Sequence, residues 1–559
     1  MVKRIFNLIH KEIHGLHEAA YLLGIFALAS QVLALIRDRL LAHFFGAGAV
    51  LDTYYAAFRI PDIIFVAIAS TVSVYVLIPF LAEKSSVSKQ AEKEFVSTIF
   101  SAFFIIMIAV SVLVFIFTPQ LVKMFFPGLV ESAYLSDLIL LTRVLLLQPI
   151  FLGISNLFAS ITQVHRKFIL YALSPILYNI GIVIGIIFLY PQFGLIGLGM
   201  GVVLGAIFHV GIQLPFIIKS GFLPKPTIFI RLGEVKKVIF LSLPRTLALS
   251  AHQISLLFLV SFASVMAVGS IAVFNFSFNL QSVPLTIIGV SYSVAAFPTL
   301  ARMFSNGERT DFLEQVLAAA KHIIFWSFPA IVLFIMLRAQ IVRVILGSGE
   351  FDWADTRLTA AALALFAVSL AAQGLILLFV RGYYAAGNTK KPLVLNLISA
   401  ALVVLFSFIL IKVFAGNITV RYFLESLLRV ENIEGTSVLM LPLGYSMAVL
   451  LNAAAFWIMF QKDFKSFSRS LSRTLFQSFS AAIIMGYVVH QFLDIFDEVF
   501  NINTFLGILS QGLFAGIIGI ATGVALLVLL QNKEIVEVWK SLHSKFWQAD
   551  AVAPEQEEL

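Results

Sequence analysis

Cysteine is absent from all 559 residues. That excludes a disulfide framework, a thiol nucleophile and any thiolate metal site. Charge is scarce as well: Asp, Glu, Lys and Arg make up 12% of the chain, about half the roughly 25% usual in soluble domains. A soluble fold of this length could not hide the 60% of residues that are hydrophobic, whereas a bilayer removes that demand. No Walker phosphate loop occurs, so ATP hydrolysis is not expected. The histidines inside the apolar stretches, such as His209 and His252, are lone residues and form no pair at metal-ligand spacing. The acidic groups Glu350, Asp352, Asp355 and Asp494, Asp497, Glu498 read as solvated loop charges, not acid–base pairs. No enzymatic constellation and no cofactor site is expected.

What is present is a succession of apolar stretches. Fourteen are long enough to cross a hydrocarbon core, the first at 18–44 and the last at 504–531. The expected class is an all-α membrane protein. Residues 1–17 carry no cleavage site and read as an interfacial amphipathic helix, with Ile5, Phe6, Leu8, Ile9, Ile13 and Leu16 at helical spacing. An even span count puts both termini on one side. With that side cytoplasmic, 25 of the 38 Lys and Arg fall in terminal segments and inner connections, and only Lys123, Lys412, Arg421 and Arg429 in outer ones. The net charge of +8 is therefore topological, and nucleic acid is not an expected partner.

The chain also repeats itself. Gly48 and Gly269, Pro61 and Pro284, Pro79 and Pro298, and Lys167-Phe168 and Lys391-Pro392 recur at offsets of 221, 223, 219 and 224. This predicts two parallel six-helix units: an N-lobe over 18–219 and a C-lobe over 236–461. Two further helices follow at 473–531, then a cytoplasmic tail at 532–559. Two such lobes suggest a central cleft with alternating access. Pro61, Pro149, Pro175, Pro244, Pro284 and Pro329 are candidate bending points.

An ionisable group inside the membrane costs several kcal/mol unless it meets a cavity or a partner. Arg37, Asp38 and Arg39 sit in the first stretch, Arg59 and Asp62 in the second, Arg143 in the fourth, Arg245 in the seventh and Arg381 in the tenth. Arg37 and Asp38 point about 100° apart on a helix, so one can face a cavity and the other a neighbouring helix. A structural pair of Asp38 with Arg59 is the competing reading. Arginine grips phosphate through a planar fork, so arginines in a watery cleft suit a diphosphate.

The stretch from Ser30 to Leu81, which includes RDRLLAHFFGAGAVLDTYYAAFRIPD, resembles the opening of the MurJ/MviN family. SLPRTLALSAHQISLL, VPLTIIGVSYSVAAFPTLAR and ILGSGEFDWADTRLTAAALALF extend the likeness. These are bacterial lipid II flippases of the multidrug/oligosaccharidyl-lipid/polysaccharide exporter superfamily. The resemblance implies two six-helix lobes plus two helices that could hold a polyprenyl tail. It implies that undecaprenyl-diphosphate-linked disaccharide-pentapeptide moves from the inner to the outer leaflet of the bacterial cell membrane, and that membrane lipids and an ion gradient or the membrane potential take part. It marks Arg37, Asp38 and Asp52 as matching positions important in the family, and Arg59 as a position that is usually basic. The sequence departs from the family at Ser30-Gln31, at Phe65-Val66 and at Asn279, where the family carries basic residues. Arg39 and Arg245 are basic where the family is often apolar, and could supply that charge. The stretch from Asn417 to Gly435 has no counterpart in the family pattern. Export of another polyprenyl-linked polysaccharide unit, or a scaffold that does not transport, are the alternative readings.

Overall fold

The computed structural model describes residues 16–70, 74–227, 230–464 and 468–547; the expected interfacial helix up to residue 15 and the end of the tail lie outside them. All regular structure among the described residues is helical. The first half runs α1 (Leu16–Phe45), α2 (Ala49–Ile64), α3 (Val74–Val87), α4 (Lys89–Phe125), α5 (Leu135–Leu145), α6 (Leu147–Val164), α7 (Phe168–Ile184), α8 (Tyr190–Phe193), α9 (Leu195–Gly211) and α10 (Leu214–Ser220). The second runs α11 (Leu232–Ser264), α12 (Ser270–Leu285), α13 (Ser291–Ser305), α14 (Arg309–Met336), α15 (Arg338–Ile345), α16 (Trp353–Ala367), α17 (Leu370–Ala385), α18 (Lys390–Gly416), α19 (Ile418–Leu428) and α20 (Met440–Phe464). Then come α21 (Ser468–Val499), α22 (Phe505–Leu529) and α23 (Lys533–Trp547).

Eleven helices among the described residues are long and apolar enough to cross a membrane, or twelve if α16 and α17, bent by 44°, form one span. The other two expected stretches coincide with α1, which carries Arg37, Asp38 and Arg39 in its last third, and with α2 and α3, between which residues 71–73 lie outside the description.

The duplication is visible in the helix pattern. α12 starts and ends 221 residues after α2, and each runs into a five-residue π turn, Phe65–Ala69 and Thr286–Val290, again 221 apart. A proline lies just ahead of each π turn, Pro61 and Pro284; it withdraws a backbone donor and its ring crowds the preceding turn, and a widened turn absorbs the mismatch. α19 is the element that the second half adds.

The described residues gather into two compact units. The first takes residues up to Val283 together with Ile345–Phe366 and Asn388–Asn452. Its tightest crossing is α7 on α9. A methyl on Gly181 would lie 2.2 Å from the Gly205 Cα, and one on Gly185 2.6 Å from the Gly201 Cα. Small residues at i and i+4 on both helices let the backbones touch, which is how helices associate where lipid offers no hydrophobic drive. α1 packs along α7, α2 along α5 and α11, and α11 along α18.

The second unit takes Pro284–Val344, Ala367–Gly387 and the chain from Ala453 onward. Within it α13, α14 and α17 pack together, and α21 and α22 form a hairpin against α14. Arg381 donates to the Val290 carbonyl at 3.3 Å and bonds the Ser293 hydroxyl, so the guanidinium serves the end of the second π turn. The amphipathic α23 is tied down at its start. Glu534 accepts from Thr474, and Asn532 donates to Gln477, which itself donates to the Leu530 carbonyl.

Candidate functional site: an arginine-lined cavity and a capped turn

A cavity of about 260 Å³ opens inside the first unit. Four helices around it contribute residues at helical i, i+4 spacing: Arg37 and Leu41 from α1, Tyr54, Phe58 and Asp62 with Tyr55 and Arg59 from α2, Tyr178 and Ile182 from α7, and Asn275 and Asn279 from α12. Gln148 completes it from α6. The close crossing at Gly181 and Gly205 fixes the level at which Tyr178 and Ile182 enter.

The polar groups are held in two sets. Arg37 donates through Nε (3.0 Å) and Nη2 (2.8 Å) to Oδ1 of Asp38, and through Nη1 (3.1 Å) to Oδ1 of Asn179. Asp38 is only 3% exposed, and its second oxygen accepts from Asn279 Nδ2 at 3.0 Å. Arg37 therefore faces the cavity while Asp38 turns into the helix contact behind it. The long guanidinium arm bends across the 100° between them, so it is Arg37 that pairs with Asp38. Arg59 instead bonds Asn275 Oδ1. Its Nε, the Tyr55 hydroxyl and Gln148 Oε1 are buried with no hydrogen-bond partner among the described residues. A buried unpaired donor or acceptor costs about 1–3 kcal/mol, so three beside one cavity mark a place built to receive a polar ligand.

Besides Asp38, three more of the expected site residues do not line this cavity. Arg39 points elsewhere and donates to the Ile345 carbonyl at 3.3 Å. Arg245 is half-buried on α11, next to Thr246, whose hydroxyl bonds Ser70 at 2.7 Å. Asp52 is 4% exposed and caps the N-terminus of α12, accepting from the backbone N–H of Gly269 (2.6 Å) and of Ala272 (2.9 Å). A carboxylate there satisfies two donors the helix cannot and meets the positive end of its dipole. A second carboxylate does similar work nearby: Asp355 accepts from Ala47 N–H at 2.9 Å, while Glu350 N–H donates to the His43 carbonyl at 3.0 Å. The α1–α2 turn, the start of α12 and the start of α16 are thus stitched together. The backbones almost touch there: a methyl on Gly269, whose φ is +91°, would lie 2.0 Å from the Ala47 carbonyl oxygen.

Sequence reasoning did not single out Tyr54, Tyr55, Gln148, Tyr178 or Asn179. Their signal was weak: single polar or amphipathic residues inside apolar helices, without the cost that makes a charge conspicuous.

The family model described as "Lipid II flippase MurJ" matches residues 41–510. The chain belongs to the MurJ family. It is 28% identical over 395 residues to a probable lipid II flippase MurJ of Buchnera aphidicola subsp. Schizaphis graminum, covering 70% of this chain and 77% of that protein. To the lipid II flippase MurJ of Burkholderia cenocepacia it is 24% identical over 375 residues, covering 66% and 73%. Among solved structures, a lipid II flippase MurJ in an inward closed conformation superposes with a TM-score of 0.72 at 22% identity, over 93% of this chain and 99% of that one. An inward-facing multidrug-resistance transporter of the MATE family gives 0.62 at 15% identity, over 80% and 96%. The fold is that of a multi-pass membrane transporter. Asn279 supplies a neutral donor to Asp38 in this cavity.

Proposed function

We propose that this chain moves lipid II, the undecaprenyl-diphosphate-linked peptidoglycan precursor, from the inner to the outer leaflet of the bacterial cell membrane by alternating access, with Arg37 and Arg59 meeting the diphosphate. The observation that carries this reading is the cavity itself. It presents two guanidinium groups held by carboxylate and amide partners, with an open Arg59 Nε beside an open tyrosine hydroxyl. In this state Asp38 neutralises Arg37, so an arriving diphosphate competes with Asp38, and Arg59 is the readier first contact. Membership of the family supports the substrate class, and the Lys/Arg distribution supports cytoplasmic termini, which put the Asp52 cap at the outer side. The cap then acts as the closed outer gate, and its release opens the cavity outward. One elementary charge moved through 100 mV supplies about 2.3 kcal/mol, enough to bias such a switch. Arg39 and Arg245 would act outside the cavity, not as phosphate ligands. No covalent step is assigned to any residue.

The test is replacement of the resident flippase in a strain depleted of it, read by growth and by outer-leaflet exposure of lipid II. Growth with exposed precursor is the expected result. The neutral Asn279 favours one competing substrate reading, a polyprenyl-linked polysaccharide unit with a less anionic headgroup. Well-folded protein that supports neither growth nor exposure would move the assignment there or to a scaffold.

A further inference from the structure

The segment added to the second half has a surface that neither the repeat nor the cavity explains. α18 ends at Gly416, Asn417 caps the next helix by accepting from Thr419 and Val420 N–H, and α19 follows at once. On this eleven-residue helix Ile418 is 83% exposed, Tyr422 69%, Phe423 63% and Leu427 62%. Four large apolar side chains that open on one short helix need a covering.

The neighbouring span shows what that covering is. α18 is the least buried of the candidate spans, with Val394, Leu397, Leu405, Phe408, Ile409 and Val413 exposed along it. Lys391 and Lys412 bracket its uncharged stretch 392–411. At 1.5 Å per residue that is about 30 Å, the thickness of the hydrocarbon core, so Lys412 marks one edge of it. Lys412 stands 5.3 Å from the Phe408 ring centre, the posture of an interfacial lysine. α19 does not run on away from that edge. Its Arg421 guanidinium lies 5.9 Å from the ring centre of Phe414, two residues or about 3 Å beyond Lys412. The second turn of α19 therefore sits at headgroup height, where apolar faces bearing Tyr and Phe are at home.

The segment is also tied to the capped turn. Arg357 donates through Nε to the Arg429 carbonyl at 3.0 Å, at the left-handed end of α19. A methyl on Gly435 would lie 3.1 Å from the Ala267 Cβ. Arg357 is two residues past Asp355, which caps the α1–α2 turn, and Ala267 is two residues before Gly269, which Asp52 holds. Glu425 closes the segment by accepting from Thr436 at 2.6 Å and from Arg421 at 2.9 Å.

We infer that α19 is a membrane-surface helix: its Ile418, Tyr422, Phe423 and Leu427 face lies in the headgroup layer at the Gly416 end of α18, and the segment braces the capped turn against the lipid. This rests on α18 crossing the bilayer and not on the identity of the transported molecule.

The absence of cysteine makes the test direct. Tyr422→Cys, Phe423→Cys, Val413→Cys and Glu434→Cys proteins, each spin-labelled, are placed in vesicles of phosphatidylethanolamine and phosphatidylglycerol. Collision with oxygen, which favours lipid, is compared with collision with an aqueous nickel chelate. The labels at 422 and 423 are expected to resemble the lipid control at 413 more than the water control at 434. Values equal to 434 overturn the inference, and protection from both reagents overturns it in favour of a protein covering. Reaction of Glu434→Cys with an impermeant thiol reagent in intact cells reports separately which side this is. An inner-side result contradicts the transport orientation proposed above while leaving the depth result intact.

Discussion

Replacing Asp52 should loosen the capped turn without touching the cavity. Its carboxylate is the partner of two backbone donors, Gly269 N–H and Ala272 N–H. Loss of a helix cap costs about 0.5–2 kcal/mol, and each buried donor left unpaired about 1–3 kcal/mol. Water entering the opened turn recovers part of this, so Asp52→Ala is expected to disfavour the closed turn by about 2–4 kcal/mol. At 1.4 kcal/mol per decade that is about a 30- to 700-fold shift in population. Asp52→Asn keeps one acceptor oxygen and loses the charge–dipole contribution of about 0.3–1 kcal/mol plus part of one bond, so it should fall between. The assay exploits the cysteine-free chain. Phe58→Cys places a single thiol in the cavity lining, and its reaction rate with an impermeant reagent reports opening. The rates should rank Ala above Asn above Asp. Unchanged rates, with lipid II affinity falling instead, would refute the capping role and return Asp52 to the substrate site.

Other consequences follow from the same geometry. Arg37→Ala leaves buried Asp38 with Asn279 alone and should lower stability by about 3–5 kcal/mol, whereas Arg37→Ala combined with Asp38→Ala should cost far less than the sum; thermal unfolding in detergent reads the coupling. Gly205→Leu drives a side chain into the Tyr178 backbone, which even a methyl would approach within 2.4 Å, and should cost more than the 1–3 kcal/mol of ordinary overpacking, seen as lost folded yield. Asn279→Arg puts a cation beside the Asp38 oxygen it already contacts, competes with Arg37 for the charge of the shared carboxylate, and should tighten binding of a diphosphate lipid in a direct titration. Arg59→Gln keeps a hydrogen-bonding head near Asn275 but removes the charge, so it should weaken that binding more than it weakens the fold.

Much of the architecture could be read from residue pattern because the forces behind it are local. A proline followed by a mismatch in the helix ladder leaves the same trace at Pro61 and Pro284, and the duplication follows. Arg37 was conspicuous because a charge in an apolar run needs a reason. The partners of these charges were not legible. Arg39 sits two residues from Arg37 but ends on the Ile345 carbonyl, and only the packing of a helix more than 300 residues away decides that. Asp52 was marked only by resemblance, because a capping carboxylate is recognised when the helix it caps is seen, and that helix begins 218 residues later. Asn179 and Gln148 gave only a weak signal, since one amide in an apolar helix serves as readily in a packing contact.

On the function proposed here, the Arg37–Arg59 cavity carries a lipid-linked diphosphate across the bilayer. Reconstituted protein in vesicles loaded with lipid II, scored by the fraction of precursor reaching the leaflet open to an external probe, tests it most directly. Transfer by the unaltered chain, a large loss in Arg59→Gln and little loss in Arg39→Ala are the expected results. Transfer that survives Arg59→Gln and Arg37→Lys together, in protein that unfolds at the same temperature as the unaltered chain, would contradict it.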